Sequence, residues 1–164
     1  MRKVSTFLWF DREAEEAVNF YVSLFRNAKV TKTTRYPLQA PDAPPPGSVM
    51  TVEFEIDGVS FVALNGGPAF NFTEAVSLSI DCDDQAEVDR YWKALTADGG
   101  EEGPCGWCKD RFGLSWQVNP HRLGELIADP DSRRAKAAME AMMKQKKIVI
   151  AEIEAAADAV TEKA

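Results

Sequence analysis

The stretch from Ala75 to Pro120 constrains this chain more than any other, because it reads as one complete strand–helix–strand–strand–strand unit and has a counterpart upstream. Val76, Leu78 and Ile80 alternate with Ser77, Ser79 and Asp81, the period of two of a strand with one apolar and one polar face. Asp84 opens a helix with Glu87 placed for a reciprocal cap. Val88, Tyr91, Trp92 and Leu95 follow at the spacing of one buried stripe. Gly99-Gly100 ends the helix. Two short strands surround the turn Asp110-Arg111-Phe112-Gly113, and the last alternates Leu114, Trp116 and Val118 with Ser115, Gln117 and Asn119. Both polar alternations point to one wet face.

The first copy begins with the strand Val4 to Phe10. A helix follows for which Asp11 is the expected cap, with Ala14, Ala17, Val18, Tyr21, Leu24 and Phe25 as its buried stripe and Asn27 as its end. Lys29 to Tyr36 is polar and Thr-rich, the character of an edge strand. The proline-rich stretch Pro37 to Gly47 cannot pair regularly and reads as a surface loop or a lid. Val49 to Ile56 and Val59 to Asn65 form a hairpin about Asp57-Gly58, which places Glu53 opposite Val62 and Phe54 opposite Phe61. Val52, Phe54, Ile56, Phe61 and Ala63 then share the helix-facing side, leaving Glu53 and Glu55 on the other. The copies overlay: Phe10-Asp11 on Ile80-Asp81, Phe20-Tyr21 on Tyr91-Trp92 after a one-residue shift, and Gly58-Val59-Ser60-Phe61 on Gly113-Leu114-Ser115-Trp116. The expected fold is α+β, two fused βαβββ units (1–68 and 69–120) forming a cupped mixed sheet, with a C-terminal helical extension (121–164). In that extension Leu123 to Ile127 is a helical turn, Asp129-Pro130-Asp131-Ser132 is a new helix start, and Met139, Met142 and Met143 are spaced for one face, read as core.

Composition limits the partners. At 45% hydrophobic and 27% charged residues the chain is an ordinary globular one, with no apolar run of membrane-spanning length and no export signal after Met1-Arg2-Lys3, so the expected compartment is the cytoplasm. A net charge of −7 argues against nucleic acid. Cys82, Cys105 and Cys108 read as reduced thiols. The Cys105-Gly106-Trp107-Cys108 pair is flanked by strand rather than set at a helix N-terminus, which argues against redox chemistry. His121 is the single histidine, too few for a zinc site of the common pattern.

The duplicated unit, with FLWFDREAEEAVNFYVSLF opening one copy and CGWCKDRFGLSWQVNP closing the other, resembles the vicinal oxygen chelate superfamily of glyoxalases, bleomycin-resistance proteins and extradiol dioxygenases. Within it the GWxKDxxGxSWQ stretch and the KQKKIVIAEIEAA tail are similar to the PhnB-like branch, whose members are often labelled 3-demethylubiquinone-9 3-methyltransferase. The resemblance implies a metal held by the first and last strands of each unit. Its ligand positions fall on Ser5 (or Thr6), Val62 (or Phe61), Ala75 and Gln117, none of them a His, Asp or Glu, so no metal is expected. It also implies a cup lined by Ser5, Phe7, Trp9, Ser77, Ser79, Ser115 and Gln117, with Glu53 and Cys108 at equivalent places in the two hairpins. Such a cup suits a small, partly apolar ligand held by neutral hydrogen bonds.

Glu53 is then the candidate general acid or base and Cys108 the candidate nucleophile, each weighed against a plainer reading as a solvated carboxylate and a buried thiol without a base. Trp9 and Trp116 read first as packing, with Trp9 by its parity the better ligand platform. A methyltransferase cofactor needs a glycine-rich loop after the first strand of a parallel sheet. Gly66-Gly67 follows an antiparallel strand, so no cofactor is expected. The resemblance and the apolar tail together point to a homodimer. The functional expectation is a metal-independent small-molecule binding protein, with an enzyme using Glu53 or Cys108, or a partner-docking module, as alternatives.

Overall fold

The computed structural model describes residues 4–38 and 44–160, so the centre of the proline-rich stretch, read as a surface loop or a lid, lies outside the described residues. The chain divides into two compact units, residues 1–72 and 73–164. No described helix is long and apolar enough to cross a membrane.

The first unit runs β1 (Thr6–Phe10), α1 (Ala14–Leu24), β2 (Ala28–Arg35), β3 (Val49–Ile56) and β4 (Val59–Asn65). Its sheet order is β1-β4-β3-β2, with β1 parallel to β4, the other pairs antiparallel and the Thr-rich β2 at an edge as expected. Asp57 and Gly58 both take positive φ (45° and 77°), the tight turn whose twist matches the hairpin, and it sets Glu53 opposite Val62 and Phe54 opposite Phe61. Val52, Phe54, Ile56, Phe61 and Ala63 are all buried, with Tyr21 of α1 against Phe54 and Phe54 stacked on Phe61 at 5.2 Å.

The cap of α1 is not Asp11. The helix starts at Ala14, too far along for that carboxylate, and its first N–H groups turn to the end of β4 instead. The Ala14 N–H donates to Asn65 Oδ1 at 2.8 Å, Asn65 Nδ2 donates to the Val49 carbonyl at 3.0 Å, and the Tyr36 hydroxyl donates to the Asn65 carbonyl. Asn65 is 5% exposed, so one buried amide ties helix, sheet and loop together. The helix also ends earlier than Asn27, at Leu24, where Phe25 turns extended.

The second unit repeats the plan with β5 (Ser77–Cys82), α2 (Gln85–Leu95), β6 (Glu101–Glu102), β7 (Trp107–Lys109) and β8 (Ser115–Pro120) in the order β5-β8-β7-β6. Val76 stands outside the strand and is 62% exposed. The α2 cap forms as read: the Glu87 N–H donates to Asp84 Oδ1 and the Asp83 N–H to Glu87 Oε2. The hairpin between β7 and β8 is built on Asp110, 2% exposed, whose carboxylate accepts from the Phe112 and Leu114 N–H groups and from Trp116 Nε1 at 2.8–3.1 Å.

The C-terminal extension is three helices, α3 (His121–Ile127), α4 (Ser132–Met142) and α5 (Ile150–Asp158), around Leu123, Leu126, Ala138, Ile148, Ile153 and Ala157. It is tied to the second sheet by backbone bonds from Cys105 N to the Gln145 carbonyl and from Gly106 N to the Lys146 carbonyl, both 2.8 Å. Gln85 bonds both the Ile148 carbonyl and the Ile150 N–H. The methionine stripe is not core: Met139 and Met143 are exposed, and Met142 alone packs against the cluster.

Replacing Asn65 by Ala is expected to cost about 2–3 kcal/mol in urea unfolding, since a cap is lost and a buried carbonyl stranded. Asp11→Ala is expected to cost under about 0.5 kcal/mol. Equal losses would contradict the assignment of the cap.

Candidate functional site

Each sheet buries one face on its helix and leaves the other turned away, and the pairing register assigns side chains to these faces. In the first unit Phe7 pairs with Val62, Val62 with Glu53 and Glu53 with Lys32, so these four form one row on the face away from α1; Trp9, Leu64, Thr51 and Thr34 form the next. Thr6 and Phe61 fall on the helix side, so of the two alternatives carried for the first strand, Ser5 and Val62 share the outer face. Phe7 is 63% exposed. Trp9 is engaged: its Nε1 donates to the Gly67 carbonyl at 2.8 Å, Phe70 meets its ring edge-on at 5.0 Å, and the ring occupies the space where a Cβ on Gly66 would lie. Glu53 is half-exposed and sits 3.6 Å from Lys32 Nζ, an ion pair in solvent.

In the second unit Ser77 pairs with Ser115 and Ser115 with Lys109, Ser79 with Gln117 and Gln117 with Trp107, and Asp81 with Asn119. The four expected polar residues, Ser77, Ser79, Ser115 and Gln117, therefore do share one face. A ladder of neutral groups runs along it: Gln117 Nε2 donates to Ser77 Oγ at 2.9 Å and Asn119 Nδ2 to Gln117 Oε1 at 3.4 Å. Beside it lies a cavity of about 490 Å³ bounded by Glu74, Glu101, Trp107, Lys109 and Ser115. Lys109 Nζ is 2.5 Å from Glu74, and that bond raises the lysine's pKa and lowers the carboxylate's. Ser115 is 1% exposed, and its hydroxyl is buried without a hydrogen-bond partner.

Cys108 is not at the place equivalent to Glu53. It pairs with Trp116 on the helix side of the sheet and is 3% exposed. The cause is the turn. Asp110 N bonds the Leu114 carbonyl across Arg111, Phe112 and Gly113, where the first hairpin turns through Asp57 and Gly58 alone. One extra residue flips every side chain before it, so Trp107 takes the place of Glu53 and Cys108 that of Phe54. Burial, with Asp110 and Glu102 adding, pushes the Cys108 thiol up to about 12, which leaves it protonated and a poor nucleophile near neutrality. Cys105 lies in a turn with positive φ, not at a helix N-terminus. Trp107 and Lys109 were missed as site residues because their faces depend on that turn, for which the longer DRFG against DG was the available signal; Asn119, on the wet face by its alternation, was not counted among them.

Two βαβββ units of this topology define the vicinal oxygen chelate fold. The model of the family described as 3-demethylubiquinone-9 3-methyltransferase matches residues 2–119, and the chain belongs to this family, the PhnB-like branch. The PhnB protein of Bacillus cereus, given the same methyltransferase description, is 31% identical; the match covers 73% of this chain and 99% of that one, with a TM-score of 0.63. A protein from Pseudomonas aeruginosa is 20% identical over 73% of this chain and 98% of its own, with a TM-score of 0.60. Among curated proteins no match is found.

The residues present do not fit a superfamily metal. The first unit offers Ser5 and Val62 and the second Ala75 and Gln117, and Gln117 already spends its amide on Ser77 and Asn119. Among the described residues no group of three or more His, Cys, Asp or Glu is placed to hold an ion. Nor do Gly66 and Gly67 form a cofactor cradle, since the Trp9 ring fills the space beside Gly66. In the folded chain at pH 8, thiol reagents are expected to label Cys105 alone of the three cysteines. Cys82, also buried and pushed up to about 12, and Cys108 should react only on unfolding, as counted by mass spectrometry. Labelling of Cys108 at the rate of Cys105 would restore it as a candidate nucleophile.

Proposed function

We propose that this chain binds a small molecule without the help of a metal, on the polar face of its second sheet, in the cavity beside Trp107, Lys109 and Ser115. The observation that carries this reading is the Ser115 hydroxyl, buried without a partner on the wall of a cavity. An unpaired buried polar group costs about 1–3 kcal/mol, and a small shift of the wall would bring this hydroxyl, now out of reach of solvent, to a bound ligand. The surrounding groups suit binding better than turnover. Around the cavity stand the Ser115 hydroxyl, the Trp107 indole and the carboxylates of Glu74, Glu101 and Glu102, with Lys109 locked on Glu74. Trp107 would be the apolar wall, and Lys109, its charge met by Glu74, a donor to a neutral carbonyl. The family's methyltransferase name is not carried over as an activity, since no cofactor cradle supports it.

The second reading, an enzyme working through Glu53, has in its favour that this carboxylate stands on the outer face of the first sheet beside the exposed Phe7. Its partner there is Lys32, 3.6 Å away in a solvent-exposed ion pair. A homodimer remains part of the proposal, supported by the exposed apolar residues Val4, Phe7 and Phe70 of the first unit, and light scattering during gel filtration would test it.

Native mass spectrometry of the purified chain, with metal analysis of the same sample, is the decisive experiment. The expected result is a small-molecule adduct and no stoichiometric metal; one metal per chain would overturn the reading. Ser115→Ala is expected to leave the midpoint of thermal unfolding unchanged or higher, because it removes an unsatisfied group, while lowering adduct occupancy. For Glu53→Gln, binding within about twofold of wild type is expected, whereas a loss of about 100-fold in any turnover found would favour the enzyme.

A further inference from the structure

The family model ends at Asn119, so helices α3 to α5 lie beyond the matched region. They close a second cavity, of about 480 Å³, at the C-terminal end of β8. Its floor is Trp107, Gln117 and Asn119 from the polar face of the sheet, and its opposite wall is Leu123 and Ile127 of α3 with Met142 of α4. Asp81 and His121 form the rim. Without the extension the same floor would be open sheet.

Gly124 points to what this cavity is for. It lies inside α3, where glycine is the least favourable residue after proline, and it lines the cavity. A Cβ added there would meet nothing within 4 Å, and its φ is not positive, so neither packing nor backbone conformation within the chain requires a glycine. Its effect is to keep the wall flat and the space empty. The rim sets the sign of charge. His121 Nδ1 is 2.8 Å from Asp81 Oδ1 and Nε2 is 3.2 Å from Asp83 Oδ1. Two carboxylates against one imidazole are net negative in either protonation state of the ring, and no Lys or Arg is among the residues lining this cavity. The Asn119 Oδ1 on the floor is an acceptor without a hydrogen-bond partner.

We propose that the C-terminal helices build a second ligand site, selective for a small amine carrying a planar apolar body. The ammonium would lie at Asp81 and the ring between Trp107 and the Leu123, Ile127 and Met142 wall, an arrangement in which acceptors face the donor end and an indole faces the flat end. This site adjoins the cavity at Ser115 and Lys109, with which it shares Cys105 and Trp107, while Asp81, Asn119 and Gly124 belong to it alone.

The test uses the full chain with two probes that share a ring and differ in charge, tryptamine and indole-3-propionate, followed by amide and indole chemical shifts. Tryptamine is expected to shift the Gly124 amide and the Trp107 indole N–H, with indole-3-propionate at least about tenfold weaker, a gap of about 1.4 kcal/mol. Asp81→Asn should remove that gap. Gly124→Ala should raise the unfolding midpoint by about 2 °C, because the helix gains, and yet weaken tryptamine binding. Gly124→Phe should abolish it. Equal binding of the two probes, no binding of tryptamine at millimolar concentration, shifts confined to other residues, or undiminished binding by both Gly124 variants would each overturn the proposal. Should Gly124→Phe fail to fold, the paired stability and affinity of Gly124→Ala decide the matter.

Discussion

The parallel pairing of first and last strands, β1 with β4 and β5 with β8, is the constraint on which each half of this protein depends. A parallel pair cannot be closed by a tight turn, so the chain must leave the sheet through a helix and return through a hairpin. The helix then covers one face of the sheet, and the period of two along each strand commits alternate residues to that covered side. In the first unit this buries Leu8, Phe10, Phe61 and Ala63 under α1, and in the second Ile80, Trp116 and Val118 under α2. What is left on the other face is mostly polar or aromatic, with Val62 and Leu64 among it in the first unit.

Two buried polar side chains hold this arrangement in place. Asn65 joins the start of α1 to the end of β4, and Asp110 gathers the turn before β8 and the Trp116 indole. Both are almost completely enclosed, and both spend their hydrogen-bonding capacity on partners whose positions define the fold. They occupy corresponding roles at different points of the two copies, one at the parallel strand end and one at the hairpin. The duplication therefore preserves strand order while the polar anchors differ.

The consequence for chemistry lies in what the outer faces lack as much as in what they carry. Glu53 is paired with Lys32, Glu74 with Lys109, and the Cys108 thiol is under the sheet with its proton held by burial. In the second sheet the buried polar atoms left without a partner are neutral: the hydroxyl of Ser115 and the carbonyl of Asn119. The proposed binding of a small molecule rests on these neutral groups beside the Trp107 indole. The C-terminal helices line the far end of that surface, where Asp81 and Asp83 supply negative charge beside His121.

The sequence by itself determined the strand and helix content, the duplication, the Asp57-Gly58 register, the α2 cap and the shared face of Ser77, Ser79, Ser115 and Gln117. All of these follow from local periodicity or from residues within a few positions of one another. The faces of Cys108 and Trp107 were decided by the length of a turn, a one-residue difference that alternation on either side of it does not reveal. Asn65 as the cap of α1, Trp9 as the cover of Gly66, and the exposure of Met139 and Met143 were decided only by tertiary structure. Each depends on which distant segment arrives at a given helix end or face, and hydrogen-bond geometry across 50 residues or more leaves no mark on the local pattern.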